Sequence, residues 1–361
     1  MATNDINLRR IQRALGDGKF PARALLLISP VNRYFATGFD SSAGMALVTP
    51  DDCLFITDFR YFEAAQSALP HIRLEMIRRG EKYADIINRC LREKEISALC
   101  YEDSEISMAE YAALNEALSA ELSPAGKQLS YLRAVKMEFE LEYMRAAQAV
   151  TDAAFEKILD DIHVGMTEKE IEARLIYHLY ACGGERLSFD PIVVSGPNTS
   201  LPHGHAGDRR VCRGDFVTMD FGVVRRGYCS DMTRTVAVGS VSDEMREIYA
   251  IVLEAQQIGL REARAGRKWS EIDGAARSYI ASRGYGQYFG HGLGHGLGLE
   301  VHESLEYSPD SGDVTPANGV VSCEPGIYLP ARFGVRIEDC IVLKKDGCEN
   351  LTKSKKNLLV L

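Results

Sequence analysis

Two aspartates occupy a segment that otherwise has the pattern of an apolar β-hairpin. Residues 215–222 and 228–236 have strand character, and the residues between them have turn character. A two-residue turn at 225–226 places Asp220 directly opposite Asp231. Cross-strand Cβ atoms are roughly 5 Å apart, and like charges at that spacing destabilise a sheet. A divalent cation would offset the repulsion, because hard cations bind carboxylate oxygen. The alternative is that one aspartate caps a turn and the other faces water.

Histidines concentrate in two segments, as His203 and His205 and as His291, His295 and His302. The spacing of His291 and His295 matches a helical zinc motif. A helix is improbable there, because every second residue from 290 to 298 is glycine and each costs about 1 kcal/mol relative to alanine. His295 and His302 have opposite strand parity, so they share a site only if the chain bends between them. The remaining histidines, His71, His163 and His178, are predicted to be structural.

Two glutamates complete the set of candidate ligands. Glu324 follows the apolar residues 320–323, and Glu338 lies within the predicted strand 335–342. On that strand Arg336, Glu338 and Cys340 share a face. A glutamate in such a strand is rarely buried without a partner. The alternative is an Arg336–Glu338 pair on a solvated face.

Nine cysteines are scattered without a CxxC pair, which is typical of reduced thiols in a cytoplasmic protein. Cys229 and Cys340 share strand faces with Asp231 and Glu338. We interpret them as small apolar strand residues; the alternative is oxidation-sensitive neighbours of the site.

Length and pattern predict two domains that must position these side chains. The chain has 361 residues. Its first third alternates strands with helices, as an α/β unit ending near Arg133; the predicted strands are 24–28, 45–48 and 53–56, and the predicted helices are 61–69 and 83–91. A long helix is predicted over 138–159. Thr167 and Glu170 form a capping box for the next helix, which ends at Gly183-Gly184.

A weak internal repeat spans this second region. Glycine, glutamate, isoleucine and glycine recur 101 residues apart, at 165, 170, 171 and 183 and again at 266, 271, 272 and 284. Ser270 is expected to cap the second copy. The match fits a duplicated helix–helix–strand unit, although helix punctuation alone produces the same pattern.

Charge and hydropathy exclude several classes of partner. The formal net charge is −9, which disfavours binding to nucleic acid. Residues 1–10 lack the apolar core of a secretion signal, which favours a cytoplasmic location. The longest apolar run, near residues 24–31, is too short to cross a bilayer, so no membrane partner is expected.

Five motifs together resemble the pita-bread metallopeptidases, a family that includes methionine aminopeptidase, aminopeptidase P and prolidase. They are Asp-Phe-Gly at 220–222, Ser-Asp-Met-Thr-Arg-Thr at 230–235, Gly-His-Gly-Leu-Gly-Leu-Glu-Val-His-Glu at 294–303, Glu-Pro-Gly-Ile-Tyr at 324–328 and Val-Arg-Ile-Glu-Asp at 335–339. The resemblance implies an α/β (α+β) fold. A creatinase/prolidase-type α/β domain is expected over 1–133 and a pita-bread catalytic domain over 134–361.

Residues outside the metal motifs favour the Xaa-Pro branch of that family. Segments 33–39 and 57–61 are similar to the N-terminal domain of Xaa-Pro peptidases, which methionine aminopeptidases lack. The segments 195–198 and 202–203 are also similar to that branch. One departure is visible at Ser304-Leu305-Glu306-Tyr307, where many relatives have proline; it affects a loop and possible pocket wall rather than a ligand.

The resemblance implies a role for each candidate residue. Two divalent ions are expected, with manganese favoured and cobalt or zinc as alternatives; their implied ligands are Asp220, Asp231, His295, Glu324 and Glu338. Glu324 would move the proton. His203 and His302 would contact the substrate and the developing oxyanion. His291 would line the proline pocket, and Arg336 would orient Glu338 or bind a substrate carboxylate.

The implied activity is hydrolysis of the bond between an N-terminal residue and a following proline, in Xaa-Pro dipeptides or longer peptides. The implied substrate partner is a proline-containing peptide, and the implied assembly is a homodimer. Three other interpretations stay open: a catalytically silent binding protein with the same fold, a creatinase-like hydrolase without metal, and a methionine aminopeptidase.

Overall fold

The structure, a computed structural model, describes residues 5–303 and 310–361. By compactness the chain divides into two units, Met1–Arg133 and Ala134–Leu361. The departure at Ser304-Leu305-Glu306-Tyr307 lies outside the described residues. Among the helices of the described ranges, none is both long enough and apolar enough to cross a membrane.

The first unit is built on a six-stranded mixed sheet. Its strands, in the order β4-β3-β2-β1-β5-β6 across the sheet, are β1 Leu25–Leu27, β2 Met45–Val48, β3 Cys53–Thr57, β4 Arg73–Met76, β5 Ala98–Tyr101 and β6 Glu121–Pro124. The central strands β1 to β3 pair antiparallel and the outer pairs are parallel. Nearly all side chains of β1 to β3 are buried, as expected when helices cover both faces.

Six helices accompany this sheet: α1 Asp5–Gly16, α2 Pro30–Thr37, α3 Phe59–Ala68, α4 Tyr83–Glu93, α5 Met108–Ala117 and α6 Gly126–Ala134. The three strands and two helices predicted for this region are present. Helix α3 begins two residues earlier than predicted, because the Asp58 carboxylate accepts a hydrogen bond from the Arg60 amide and caps the helix there.

Two helix pairs form one layer of the second unit. They are α7 Glu138–Asp161 with α8 Glu168–Ala181, and α9 Asp243–Glu262 with α10 Trp269–Ser282. The predicted capping box is confirmed, since Thr167 Oγ1 accepts from the Glu170 amide (3.1 Å) and Glu170 Oε2 accepts from the Thr167 amide (2.7 Å). The expected cap at Ser270 is wrong: α10 begins one residue before it, and Lys268 is the N-cap residue.

The glycines of the 101-residue repeat have matching conformations. Gly165 and Gly266, which precede the second helix of each pair, have φ of 95° and 82°. Gly183 and Gly284, which follow those helices, have φ of 106° and 88°. Equivalent left-handed turns at both ends of both helices favour the duplicated unit over coincidental punctuation.

Short strands make up the other layer of this unit: β7 Arg186–Leu187, β8 Ile192–Ser195, β9 Phe216–Phe221, β10 Val223–Arg225, β11 Tyr228–Cys229, β12 Met232–Ala237, β13 Val320–Cys323, β14 Gly326–Leu329, β15 Phe333–Arg336, β16 Asp339–Lys344 and β17 Gly347–Asn350. One apolar cluster lies between α7–α8 and strands β8, β9 and β12. A second lies between α9–α10 and strands β13 to β16. Each helix pair therefore covers strands that carry part of the site.

The acidic hairpin has a different register from the predicted one. Its turn is Arg226-Gly227, with φ of 50° and 80°, as a type I′ turn requires. Asp220 consequently pairs with Thr233, and the prediction that Asp220 lies directly opposite Asp231 is wrong. Strand β9 ends at Phe221 and β12 begins at Met232, so the ladder is interrupted beside both aspartates.

Each hairpin that carries acids changes sheets at those acids. Strands β9 and β12 belong to one sheet and β10 and β11 to another, and Asp231 precedes β12 at the change. In the second hairpin, Arg336 pairs with Gly326 but Asp339 pairs with Cys323. Glu324 and Glu338 therefore lie in the gaps between β13 and β14 and between β15 and β16. The predicted continuous strand over 335–342 is interrupted at residues 337–338, because the partner strand changes there.

Gly222 makes the first of these sheet changes possible. A Cβ atom at position 222 would lie 1.9 Å from the Ser230 carbonyl oxygen. We expect Gly222→Ala to lower the free energy of unfolding by about 2 kcal/mol or more, because backbone must move to relieve the overlap. Gly274 is the control: it lies inside α10 with no heavy atom near its ideal Cβ, so Gly274→Ala should stabilise by about 0.5–1 kcal/mol. Urea unfolding of both variants gives the comparison, and equal stability would contradict the role assigned to Gly222.

Candidate metal centre

One cavity of about 630 Å³ in the second unit collects the predicted site residues. Its wall contains all nine of them: His203, Asp220, Asp231, His291, His295, His302, Glu324, Arg336 and Glu338. Other lining residues had no role in the sequence analysis, namely Phe189, Asp190, Ile192 and Val301. The nine site residues lie on the two hairpins that change sheets, on the glycine-rich segment and on the loop after β8.

The glycine-rich segment bends so that His295 and His302 meet. Gly296 forms single β-bridges to both Glu303 and Val321, which folds the segment back on itself. The rings of His295 and His302 lie 4.1 Å apart between centroids. The predicted absence of a helix at these histidines is confirmed, since the segment after residue 288 has no helix within the described residues.

Ser322 joins His295 to Glu324. The His295 amide donates to Ser322 Oγ (2.9 Å), and that hydroxyl donates to Glu324 Oε1 (2.9 Å). His295 Nε2 lies 3.4 Å from Glu324 Oε1 and 3.5 Å from Asp231 Oδ2. A Cβ at Gly294 would lie 2.1 Å from the Ser322 carbonyl oxygen, so this close approach requires glycine.

A buried ion pair fixes the end of the same segment. Lys136 Nζ contacts Glu303 Oε2 at 2.6 Å, with only 2% and 6% of the two side chains exposed. The Leu299 amide donates to the other oxygen of Glu303 (2.9 Å). His302 precedes Glu303, so this pair restrains the position of its ring. Sequence reasoning missed Lys136, because its partner is 167 residues away.

Arg336 is buried and binds Asp220 rather than Glu338. Its guanidinium contacts Asp220 Oδ2 at 2.6 Å. It also donates to Thr233 Oγ1 (3.0 Å), which in turn donates to Glu338 Oε2 (2.7 Å). The alternative of an Arg336–Glu338 pair on a solvated face is wrong, since both residues are at most 4% exposed. Any influence of Arg336 on Glu338 passes through Thr233, which sequence reasoning also missed although it lies in a quoted motif.

Tyr328 connects His291 to the same arginine. Its hydroxyl lies 2.8 Å from His291 Nε2 and accepts from Arg336 at 3.0 Å. His291 Nδ1 lies 2.8 Å from the Gly292 carbonyl oxygen. The Phe289 ring packs edge-on against the imidazole at 5.1 Å. The imidazole of His291 is thus fixed at both nitrogens and contributes ring surface to the cavity.

His203 lies at the exposed rim of the cavity. It also lines a neighbouring cavity of about 610 Å³, together with Tyr288, His291 and Tyr328. His178, predicted to be structural, lies apart from the site and pairs with Asp161 at 2.7 Å.

Burial and mutual repulsion raise the pKa values of three acids in the site. Burial raises the pKa of Asp231 well above its ordinary value, and the neighbouring Glu338 and Asp220 charges raise it further. Burial likewise raises the pKa of Glu338, with Glu324 adding to the shift. The pKa of Glu324 is also raised by burial. Burial lowers the pKa of His295 and of His302, which favours the neutral imidazole that binds metals.

Three carboxylate oxygens of the site have no hydrogen-bond donor among the described residues. Within the described residues, Asp220 Oδ1, Asp231 Oδ1 and Glu338 Oε1 are buried and accept no hydrogen bond. Ligand atoms of Asp231, His295 and Glu338 all lie within 4.8 Å of one another. Buried carboxylate oxygens without donors are costly unless a cation compensates them. The donor set, mostly carboxylate with one imidazole, fits hard divalent ions.

Cys229 and Cys340 are both buried. The Cys340 thiol donates to the Asp231 carbonyl oxygen (3.2 Å), and the Cys229 thiol donates to the Leu299 carbonyl oxygen (3.6 Å). Burial raises the pKa of Cys229 to about 12, so its reactive thiolate is disfavoured. Both contacts favour the interpretation as small packing residues.

The chain matches Metallopeptidase family M24 over residues 142–345 and the Creatinase/Prolidase N-terminal domain over residues 8–135. It is 40% identical to the uncharacterized peptidase YqhT of Bacillus subtilis over 345 residues, 95% of this chain and 97% of that one. Its structure is similar to that of an Xaa-Pro dipeptidase from Bacillus anthracis, with a TM-score of 0.93, 38% identity and coverage of 99% and 100%. An X-Pro aminopeptidase from Thermotoga maritima gives a TM-score of 0.91, 35% identity and coverage of 98% and 99%. The predicted resemblance and fold class are confirmed.

The charge of the site predicts how metal binding depends on pH. The raised pKa values mean that the metal-free folded protein holds extra protons, so these groups contribute stability at low pH that is lost as pH rises through their folded pKa values. Metal competes with those protons. At 100 times its dissociation constant a bound ion adds about 2.7 kcal/mol, or roughly 5–10 °C in Tm. We expect manganese to raise Tm more at pH 7.5 than at pH 5.5, measured against chelated protein.

Glu338→Gln sharpens this test, because it removes one of the repelling charges. We expect the variant to raise the Tm of chelated protein at pH 7.5 and to reduce the manganese-induced increase by at least half. Glu63, an exposed residue of α3, supplies the control Glu63→Gln, which should change neither value. A manganese-induced increase that is the same in Glu338→Gln and wild type would contradict the assignment of Glu338 to the metal centre.

Proposed function

We propose that this chain, which belongs to Metallopeptidase family M24, is a metal-dependent exopeptidase that cleaves the bond between an N-terminal residue and a following proline. The observation that carries the proposal is the convergence of four acids and a histidine on one cavity, with three acid oxygens lacking donors among the described residues. The Xaa-Pro dipeptidase and X-Pro aminopeptidase that the structure resembles support the choice of substrate. In this proposal residues 1–133 are the creatinase/prolidase-like domain and 134–361 the catalytic domain.

The metal ligands in this proposal are Asp220, Asp231, His295, Glu324 and Glu338. They would hold two divalent ions, with manganese favoured by the oxygen donors and cobalt or zinc as alternatives. Such ions lower the pKa of bound water and polarise the carbonyl of a bound peptide.

Glu324 is suited to moving a proton between water and the leaving proline nitrogen. It lines the cavity, and the Ser322 hydroxyl donates to its Oε1 (2.9 Å), which fixes the orientation of the carboxyl group. In this proposal His302 and His203, which line the cavity, donate to the substrate carbonyl oxygen as it gains charge. A donor of that kind contributes roughly 3–4 kcal/mol to the transition state.

The remaining side chains position the substrate and the acids. His291, fixed between Tyr328 and Gly292, offers ring surface to the proline side of the scissile bond. Arg336 already donates hydrogen bonds to Asp220, Tyr328 and Thr233. We therefore assign it to holding Asp220 and not to binding a substrate carboxylate.

The proposal extends to the setting of the enzyme. We infer a cytoplasmic homodimer acting on proline-containing peptides. All nine cysteines are free, which suits a reducing compartment. The net charge of −9 suits a peptide substrate better than nucleic acid.

Peptide hydrolysis tests the activity directly. We expect manganese-dependent release of alanine from Ala-Pro, from Ala-Pro-Ala-Ala, or from both, and none in the presence of a chelator. Glu324→Gln should lower kcat/KM by at least about a hundredfold, because both proton transfer and a ligand charge are lost. Liquid chromatography of the products identifies the cleaved bond.

The substrates separate the competing interpretations. Cleavage of the dipeptide alone identifies a dipeptidase, and cleavage of the longer peptide identifies an aminopeptidase. Preferential cleavage of Met-Ala-Ser would favour a methionine aminopeptidase. If manganese-loaded protein cleaves none of the three, the proposed activity is wrong and a binding role replaces it.

A further inference from the structure

The loop that carries His203 has little regular structure to hold it. It leaves β8 at Ser195, passes through a 3₁₀ turn at Gly196–Ser200, and continues irregularly to residue 207. His203 lies in the irregular part, at the rim of the cavity. A histidine on such a loop can serve as an oriented donor only if another element fixes the loop.

Glu168, the first residue of α8, binds this loop at both ends. Its Oε1 accepts from the amide and hydroxyl of Ser195 (2.7 and 2.9 Å) and from the side-chain amide of Asn198 (2.9 Å). Its Oε2 accepts from the Gly207 amide (2.9 Å). These three loop residues bracket His203, so one carboxylate closes the loop at its base.

The carboxylate is fully buried and accepts all four of these hydrogen bonds. Four hydrogen bonds to one group require an ionised acceptor with both oxygens available. The charge is favoured by its place in the first turn of a helix. Arg209, which is paired with Asp215, reaches the carboxylate only through Ser195 Oγ (2.6 Å). Glutamine would present an amide N–H group where one of these donors now points.

A second contact fixes the middle of the loop on its other side. The Gly334 amide in β15 donates to Thr199 Oγ1 (2.8 Å). A Cβ at Gly334 would lie 2.2 Å from the Thr199 carbonyl oxygen, so loop and strand are in close contact. This contact holds the 3₁₀ turn, and Arg336 donates to the Pro202 carbonyl oxygen (3.3 Å), but neither contact reaches residue 207. There the Lys169 amide donates to the Gly207 carbonyl oxygen (3.2 Å), and the Glu168 side chain adds the bond that links residue 207 to Ser195 and Asn198.

The geometry points to Glu168 as a positioning residue that holds His203 at the mouth of the cavity by closing the 195–207 loop. This inference rests on the proposed function for the role of His203 in catalysis. Glu168 itself does not line the cavity, so it acts through the loop.

A double-mutant cycle tests the connection. Glu168→Gln should lower kcat/KM for Xaa-Pro cleavage by about tenfold or more in the wild-type background, since small displacements of a working group are costly. In the His203→Ala background the same change should have no further effect. The matched control is Glu170→Gln on the same helix, which removes the charge of an exposed capping carboxylate but keeps an oxygen that accepts from the Thr167 amide, and which should leave kcat/KM unchanged. An equal loss in both backgrounds would mean that Glu168 acts independently of His203 and would overturn the inference.

Amide hydrogen exchange of the full-length, manganese-supplemented protein gives a readout that needs no substrate. Exchange at Ser195 and Gly207 should accelerate by at least about tenfold in Glu168→Gln and stay unchanged in Glu170→Gln. If wild type cleaves no peptide, the proposed function fails while exchange still decides the loop anchoring. Unchanged exchange overturns the inference. Should Glu168→Gln not fold, Asn198→Ala removes one of the four bonds and must show the same two effects at smaller size.

Discussion

Repulsion among buried carboxylates is the constraint on which the second unit depends. Asp231, Glu338 and Glu324 are enclosed in one cavity together with Asp220. At an effective dielectric constant of 20, two like charges 4 Å apart repel by roughly 4 kcal/mol. Among the described residues, Arg336 is the lysine or arginine side chain that forms an ion pair with this group, through Asp220. A single cation cannot balance four acids, so the cluster is tolerable only with protons or metal ions bound.

The strand arrangement explains how such a cluster is assembled. A regular strand alternates its side chains and spaces them along its length, which separates acids of one hairpin. Here both hairpins change sheets at the acids, and each change releases local backbone from the ladder. Gly222 permits one change and Gly294 permits the close approach of the histidine segment to Ser322. Interrupted strands thus bring the acids of both hairpins to one cavity, while the flanking ladders hold the strands on either side of each interruption.

Much of the chemistry was predictable from the sequence, while the connections between segments were not. The nine predicted residues all line one cavity. The predicted register was wrong because the turn lies one residue later in the chain, so Asp220 pairs with Thr233 and not with Asp231. Gly227 was the available signal, because a type I′ turn favours glycine at its second central position and thereby selects 226–227 over 225–226. Lys136 and Glu168 had no such signal. Their partners lie 167 and 27–39 residues away, and only the folded chain reveals that they meet.

Donor supply separates two kinds of buried acid in this unit. Glu168 and Asp339 each accept four side-chain or backbone hydrogen bonds. Asp339 binds Arg234, Lys356, Gln256 and Asn350, and the charges of Arg234 and Lys356 lower its pKa in spite of burial. Asp231 and Glu338 have raised pKa values, and each keeps an oxygen without a donor among the described residues. Both kinds carry the same functional group and are equally buried, so neither residue type nor burial distinguishes them. An acid whose oxygens all accept hydrogen bonds is satisfied within the folded chain, and its hydrogen bonds hold the surrounding segments in place. An acid oxygen that lacks a donor needs a proton or a cation to offset its burial, so the unsatisfied oxygens are the physical feature on which the proposed metal centre rests.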